Sequence, residues 1–205
     1  MNRPLLITLK SIVWLACLWP LGWLLWGAST NNLGPDPTVT ITFATGLAAL
    51  RLLTISLAIT PVRRLLPRLG WLIKFRRLLG LFAFFYATLH LATYVALYAG
   101  FDLNAMAADI AKRRFITIGL IAWLLLVPLA ATSTSWSIRK LGGKRWNRLH
   151  RLVYLAAVCG VIHYWWQVKT GVLTPLTITL ILGVLLVARP IQAWNQRRRS
   201  HAANA

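Results

Sequence analysis

Residues 78–99 read LLGLFAFFYATLHLATYVALYA, and residues 149–167 read LHRLVYLAAVCGVIHYWWQ. Each stretch is close to the roughly 20 apolar residues that a helix needs to cross a bilayer. Each also contains a histidine, His90 in the first and His163 in the second. Ionisable side chains inside a membrane are costly and tend to be functional, and neutral imidazole is a good ligand for haem iron. The two stretches therefore predict a membrane cytochrome.

Six stretches of the chain have the length and apolar character of membrane-spanning helices. They predict an all-α, polytopic membrane helix bundle that forms one domain over residues 1–205, with spans at about 11–28, 39–60, 78–99, 115–131, 149–167 and 173–188. Pro61 and Pro67 are expected to end the second span, and Pro128 to kink or end the fourth. The first run contains Pro20 and shows no clear cleavage site, so we interpret it as a retained span.

Lysine and arginine are distributed unevenly between the two sides of these spans. Loops that alternate from the N-terminus hold 18 of these residues, the opposite loops hold four, and Arg51 lies within the second span. Because positively charged loops stay in the cytoplasm, both termini are predicted to be cytoplasmic. The three acidic residues, Asp36, Asp102 and Asp109, all fall on the opposite side.

The net charge is +20, and 58% of the residues are hydrophobic. A basic chain can indicate nucleic-acid binding. Here, however, the basic residues form short clusters between apolar runs, which is typical of a polytopic membrane protein, so no nucleic-acid partner is expected. Cys17 and Cys159 lie in apolar segments without metal-ligand spacing, and we expect both to be buried small hydrophobes.

His90 and His163 are predicted to lie at the same depth in the membrane. His90 is 13 residues beyond Arg77 and His163 is 13 residues beyond His150, which places each about 20 Å from the cytoplasmic boundary. Imidazoles at matching depth on different helices can ligate one haem, and a bis-histidine haem suits electron transfer. The alternative is a histidine that only hydrogen-bonds a neighbouring helix or sits in an aqueous cavity. A dinuclear copper or zinc site would need more ligands in this layer.

His150 and Arg51 are two further candidates for cofactor binding. His150, at the cytoplasmic end of the fifth span, could ligate a second haem or help to bind quinone, flavin or a haem propionate. Thirteen helical residues rotate it about 220° away from His163, and the inner position on the third span is Arg76 or Arg77. Arg51 has no carboxylate partner in any span. It is expected either to pair with a propionate or another anionic cofactor or to snorkel to water.

Several blocks of sequence resemble a known family. They are RRLLGL (76–81), YATLH (86–90), KRRFITIG (112–119), PLAATS (128–133) and WNRLHRLVY (146–154), followed by His163-Tyr164. Over nearly its whole length the chain resembles the haem-binding membrane subunit of the bacterial periplasmic methionine-sulfoxide reductase system, the MsrQ or YedZ family. That family belongs to the wider ferric-reductase-like transmembrane group.

The resemblance implies a b-type haem, with FMN as an associated cofactor, in the bacterial inner membrane. It implies electron transfer from the quinone pool to a periplasmic subunit that contains molybdopterin and reduces methionine sulfoxide in oxidised proteins. The family's histidine positions fall on His90, His150 and His163, whereas His201 matches nothing. Residues 102–114 and 169–172 are then the expected docking surface for the partner.

Two other functions are consistent with parts of the sequence. A self-sufficient transmembrane ferric or cupric reductase would also contain haem, but its turnover would not depend on a protein partner. A transporter or channel would use the histidines and Arg51 for gating, and it would contain no haem. Such a protein needs broken helices and polar pathway residues, which are scarce in this chain.

Overall fold

A computed structural model describes residues 2–168 and 171–203 of the chain. The α-helices within these residues are α1 (Arg3–Ser29), α2 (Pro37–Leu65), α3 (Arg76–Thr93), α4 (Leu103–Lys112), α5 (Arg114–Ala131), α6 (Ser135–Leu141), α7 (Gly143–Leu149), α8 (Leu152–Gln167) and α9 (Leu173–Ala203). A 3₁₀ helix, Pro67–Phe75, leads into α3, and a π-helical turn, Tyr94–Tyr98, extends it. The all-α prediction is confirmed, because the described residues contain no strand.

Five helical segments are long and apolar enough to cross a membrane: Arg3–Ser29, Pro37–Leu65, Pro67–Tyr98, Arg114–Ala131 and Leu173–Gln192. The fifth predicted span corresponds to α8, which begins only at Leu152 and has 16 residues. At 1.5 Å per residue it is about 24 Å long, shorter than a typical hydrocarbon core. The predicted number of six spans is therefore not confirmed, and the cytoplasmic placement of the termini stays a prediction. We propose α8 as the sixth membrane segment because it packs along α5.

Neighbouring long helices run antiparallel, so the bundle has two distinct ends. Two hydrogen bonds near opposite ends of each helix pair show this. Between α2 and α3 they join His90 to Thr42 and Ser56 to Arg76, and between α3 and α5 they join Thr88 to Trp123 and Arg77 to Ser133. Between α5 and α8 they join His163 to Phe115 and His150 to Thr132, and between α8 and α9 they join Trp165 to Thr179 and Tyr154 to Arg189. The end that carries Arg64, Arg76, His150 and Arg189 is called the basic end below. It is the end predicted to face the cytoplasm.

The core of the bundle is apolar and contains small residues where helices cross. Ala83, Ala156 and Ala157 are each 1% exposed in a cluster with Leu57 of α2. Small side chains allow the backbones of membrane helices to approach closely, which increases van der Waals contact where no hydrophobic effect drives association. Cys17 and Cys159 are buried and unbridged, as predicted.

Prolines lie inside the long helices, and other side chains bond to the backbone near two of them. One residue after Pro20, the Tyr86 hydroxyl accepts a hydrogen bond from the Leu21 N–H and donates one to the Cys17 carbonyl. The prediction that Pro61 ends the second span is wrong, because α2 continues to Leu65. Proline cannot donate to the carbonyl four residues earlier.

For Pro61 that carbonyl belongs to Leu57, and it accepts a hydrogen bond from the Arg189 guanidinium instead. Arg189 lies on α9, which continues through Pro190 to Ala203, well past the predicted end of the span at residue 188. By contrast, Pro67 does mark the change from α2 to the 3₁₀ helix. Pro128 lies inside α5, three residues before that helix ends at Ala131.

Candidate functional site

His90 of α3 and His163 of α8 lie side by side in the half of the bundle away from the basic end. Their ring centroids are 5.8 Å apart, and their ring planes are inclined at 82°. Both side chains are half-buried. The structure therefore brings together the two histidines that the sequence predicted at equal depth.

Each histidine of the pair is held by a backbone carbonyl of a neighbouring helix. His90 Nδ1 is 2.9 Å from the Thr42 carbonyl oxygen, and His163 Nδ1 is 2.7 Å from the Phe115 carbonyl oxygen. A carbonyl oxygen can only accept, so Nδ1 carries the proton and donates in both cases. In the neutral ring, Nε2 is then the nitrogen with a free lone pair, which is the form that binds a metal ion.

Two glycines that sequence analysis missed make room for these rings. A Cβ atom at Gly46 would lie 3.0 Å from His90 Nδ1, and one at Gly119 would lie 2.6 Å from His163 Nδ1. Because Cβ atoms are essentially never found closer than 3.0 Å, the His163 ring in particular occupies space that only glycine leaves open. Each ring thus rests directly on the backbone of the next helix.

The two half-sites have the same sequence spacing, although the chain shows no obvious internal repeat. In both, the accepting carbonyl lies 48 residues before the histidine. In both, the glycine that faces the ring follows that carbonyl by four residues, about one helical turn. This shared spacing is the signal from which Gly46 and Gly119 could have been identified in the sequence.

The geometry of the pair fits a haem iron. A metal–imidazole bond is about 2 Å long, so two rings on opposite sides of one metal ion have centroids about 6 Å apart. The 5.8 Å separation of His90 and His163 is close to this value. Among the described residues no group of three or more His, Cys, Asp or Glu side chains could hold a metal ion. Two imidazoles therefore suit a metal whose other ligands come from a macrocycle.

His150 has different surroundings from the His90–His163 pair. It lies in the turn between α7 and α8, at the basic end, and stacks on Trp146 with a centroid distance of 3.8 Å. Its Nε2 is 3.1 Å from the Thr132 hydroxyl, which itself donates to the Pro128 carbonyl. That hydroxyl has one hydrogen, so His150 Nε2 is the donor and is not free for a metal in this arrangement.

The His150 imidazole is neutral at physiological pH. Burial and, secondarily, the positive charge of Arg76 lower the pKa of His150 to about 4. A ligand role for His150 therefore stays a prediction, and it would require the bond to Thr132 to break.

Arg51 is exposed on α2 and lines an apolar groove of about 430 Å³ between α1 and α2, together with Trp19, Trp23 and Phe43. It lies within electrostatic range of Tyr164, the neighbour of His163. The acidic residues are remote from it: Asp36 caps α2, Asp102 caps α4, and Asp109 pairs with Arg113 at 3.0 Å. Within the part of the chain that the structure describes, Arg51 thus has no carboxylate partner, as the sequence predicted.

One of the two predicted docking segments is a short exposed helix. Residues 102–114 form α4 with its flanking residues, where Lys112 and Arg114 are exposed and Arg113 is held by Asp109. In the second predicted segment, residues 169–172, Lys169 and Thr170 lie outside the described residues.

Comparisons with known proteins agree on one family. Residues 45–161 match the family described as ferric reductase like transmembrane component. A relative from Herminiimonas arsenicoxydans is 46% identical over 98% of this chain and 93% of its own length. A relative from Rhodospirillum rubrum is 48% identical over 94% and 92%, and one from Ralstonia nicotianae is 43% identical over 90% and 84%. All three are named protein-methionine-sulfoxide reductase heme-binding subunit MsrQ.

Proposed function

Because this chain belongs to the ferric-reductase-like transmembrane family and, within it, to the MsrQ haem-binding subunits, we propose that it is the membrane haem subunit of a methionine-sulfoxide reductase. One observation supports the site above all others. His90 and His163 lie 5.8 Å apart, and each directs its Nδ1–H to a carbonyl and so keeps Nε2 for iron. When bound, haem supplies reversible one-electron transfer.

The haem is proposed to be of the b type, held without covalent attachment. The cysteines, Cys17 and Cys159, stand far apart in the sequence and form no C-x-x-C-H motif, which would attach a c-type haem. Gly46 and Gly119 fix the two imidazoles against the backbone and so orient them before the cofactor binds. If His90 and His163 both bound the iron, no position would be left for a substrate, and the haem would supply electron transfer.

The direction of electron flow is proposed from the position of the pair. His90 and His163 lie away from the basic end, hence near the side predicted to be periplasmic. An acceptor on that side, a subunit with a molybdenum cofactor that reduces methionine sulfoxide, could collect electrons at α4. The quinone pool of the bacterial inner membrane is the proposed donor, and FMN is proposed from the family resemblance alone.

The site is tested by absorption spectroscopy on the purified protein. We expect reduced-state bands typical of low-spin b-type haem, and we expect His90→Ala and His163→Ala each to lose the haem that the pair holds. His201→Ala, in the polar tail, is the matched control and should keep the full spectrum. Full haem retention in both single variants would contradict the ligand assignment.

A second candidate function is that of a self-sufficient ferric or cupric reductase, which the family match of residues 45–161 favours. The test is to oxidise the reduced protein either with a ferric chelate or with the purified periplasmic partner. Fast oxidation by the partner and slow oxidation by the chelate supports the subunit role. The reverse result supports direct metal reduction.

A further inference from the structure

Arg189 of α9 is fixed by two neighbouring helices at the basic end. One amino group of its guanidinium donates to the Leu57 carbonyl, which Pro61 cannot bond, and the other donates to the Tyr154 hydroxyl. The guanidinium also lies over the Tyr154 ring, 4.7 Å from its centroid. Contacts with α2 and α8 thus set its position.

The positive charge of Arg189 has no carboxylate near it. Arg64 and Arg76 act on it electrostatically, so two further positive charges lie within electrostatic range. The only Asp and Glu side chains of the whole sequence are Asp36, Asp102 and Asp109, and all three lie toward the opposite end of the bundle. Like charges repel, so an anion bound beside these arginines would be stabilised by all three.

Three polar atoms along the seam between α2 and α9 are buried without a hydrogen-bond partner among the described residues. They are Arg189 Nε, the Thr60 hydroxyl and Gln192 Oε1. The helices α2 and α9 run in the same direction, and Arg189 is opposite Leu57. Thr60 follows Leu57 by three residues on α2, and Gln192 follows Arg189 by three residues on α9. All three atoms therefore lie within about one helical turn of each other along the seam. Two of them can donate, and Gln192 Oε1 can only accept.

We propose that Arg189, Arg64 and Arg76 bind the headgroup of an acidic phospholipid from the leaflet at the basic end. Phosphate oxygens would accept hydrogen bonds from Arg189 Nε and Thr60, and a hydroxyl of a glycerol headgroup would donate to Gln192. Basic pockets between helices on the cytoplasmic side of membrane proteins are known to recognise such headgroups.

The surface beside the cluster favours a lipid over a soluble phosphate ester. Val184, Val187 and Ile191 lie on the face of α9 turned away from Arg189 and are 67%, 60% and 49% exposed, so the outer surface of this helix is apolar. The segment Leu173–Gln192 is long and apolar enough to cross a membrane, and Arg189 lies three residues before its end. The arginine is thus near the depth at which phospholipid headgroups lie.

The test measures thermal unfolding of the delipidated full chain in detergent micelles. Phosphatidylglycerol, phosphatidylcholine, inorganic phosphate and FMN are added separately. We expect only phosphatidylglycerol to raise the unfolding temperature, and we expect Arg189→Gln to weaken its apparent affinity about fivefold, the effect of one arginine near an anionic surface. Arg139→Gln is the matched control, because Arg139 is exposed near the same end but outside the cluster, and it should leave the affinity unchanged.

Each outcome decides the proposal. Equal weakening by Arg139→Gln would show non-specific attraction and overturn it, and so would stabilisation by inorganic phosphate or FMN as large as that by phosphatidylglycerol. If Arg189→Gln does not fold, Arg64→Gln decides, since Arg64 is exposed: a weaker response to phosphatidylglycerol supports the site, and an unchanged response overturns it. The test uses no haem or redox signal, so its result is separate from that of the proposed function.

Discussion

The contact between Gly119 and His163 gives the sharpest prediction, because one methyl group tests how tightly the ring is held. In Gly119→Ala the new Cβ would lie 2.6 Å from His163 Nδ1 and 2.9 Å from Cε1. The ring cannot retreat without lengthening the 2.7 Å bond from Nδ1 to the Phe115 carbonyl. The substitution therefore costs both packing and a hydrogen bond.

The magnitude of this effect is the sum of three contributions. Overpacking a filled site costs about 1–3 kcal/mol, and loss of the hydrogen bond costs about 1 kcal/mol. Replacing glycine by alanine inside a helix returns about 1 kcal/mol. Gly119→Ala should therefore destabilise the protein by about 1–3 kcal/mol, which lowers the unfolding temperature by about 2–4 °C for each kcal/mol in a chain of this size.

The assay is thermal unfolding in detergent across a graded series of glycine variants, with haem content measured in parallel. Gly119→Ala should be the least stable and bind the least haem. Gly46→Ala, with a 3.0 Å contact to His90, should be intermediate, and Gly183→Ala, with nothing within 4 Å, should equal or exceed the parent protein. If Gly119→Ala unfolds at the parent temperature with full haem, His163 is not confined as described.

Three further substitutions test other parts of the bundle. Tyr86→Phe should lower the free energy of unfolding by about 1 kcal/mol, because it removes the buried hydroxyl that accepts from the Leu21 N–H and donates to the Cys17 carbonyl; an unchanged unfolding temperature would show that the helical bond between these two backbone groups is sufficient. Arg51→Gln should lower the haem midpoint potential in a redox titration, since removing a nearby positive charge favours the ferric state, whereas Arg51→Lys should not. Exchanging the exposed Lys112 and Arg114 for glutamate should slow electron transfer to the periplasmic partner in stopped-flow measurements, and equal rates would exclude α4 as the docking surface.

The sequence predicts the helices of this protein well because a bilayer restricts the choices. Each long apolar run must satisfy its own backbone hydrogen bonds, so it forms a helix. Errors concern where helices end. Pro61 was expected to end the second span and Arg189 to lie just beyond the last one, yet the carbonyl that the proline leaves free is the one that the arginine bonds. This compensation joins residues 132 positions apart, and no local pattern reveals it.

The residue types of the candidate site can be predicted from the sequence, but the ring nitrogen that each histidine leaves free for a metal cannot. The sequence predicts His90 and His163 at one depth and His150 at the cytoplasmic end, but it shows of none of them which ring nitrogen is free. In the structure, carbonyls of other helices leave Nε2 free in His90 and His163, whereas the Thr132 hydroxyl engages Nε2 of His150. Since the ring nitrogen that bears the proton is set by its hydrogen-bond partner, the fold distinguishes three identical side chains. Whether the Nε2 atom of a histidine is free to bind iron thus depends on a hydrogen bond with a neighbouring helix, and not on the residues beside it in the sequence.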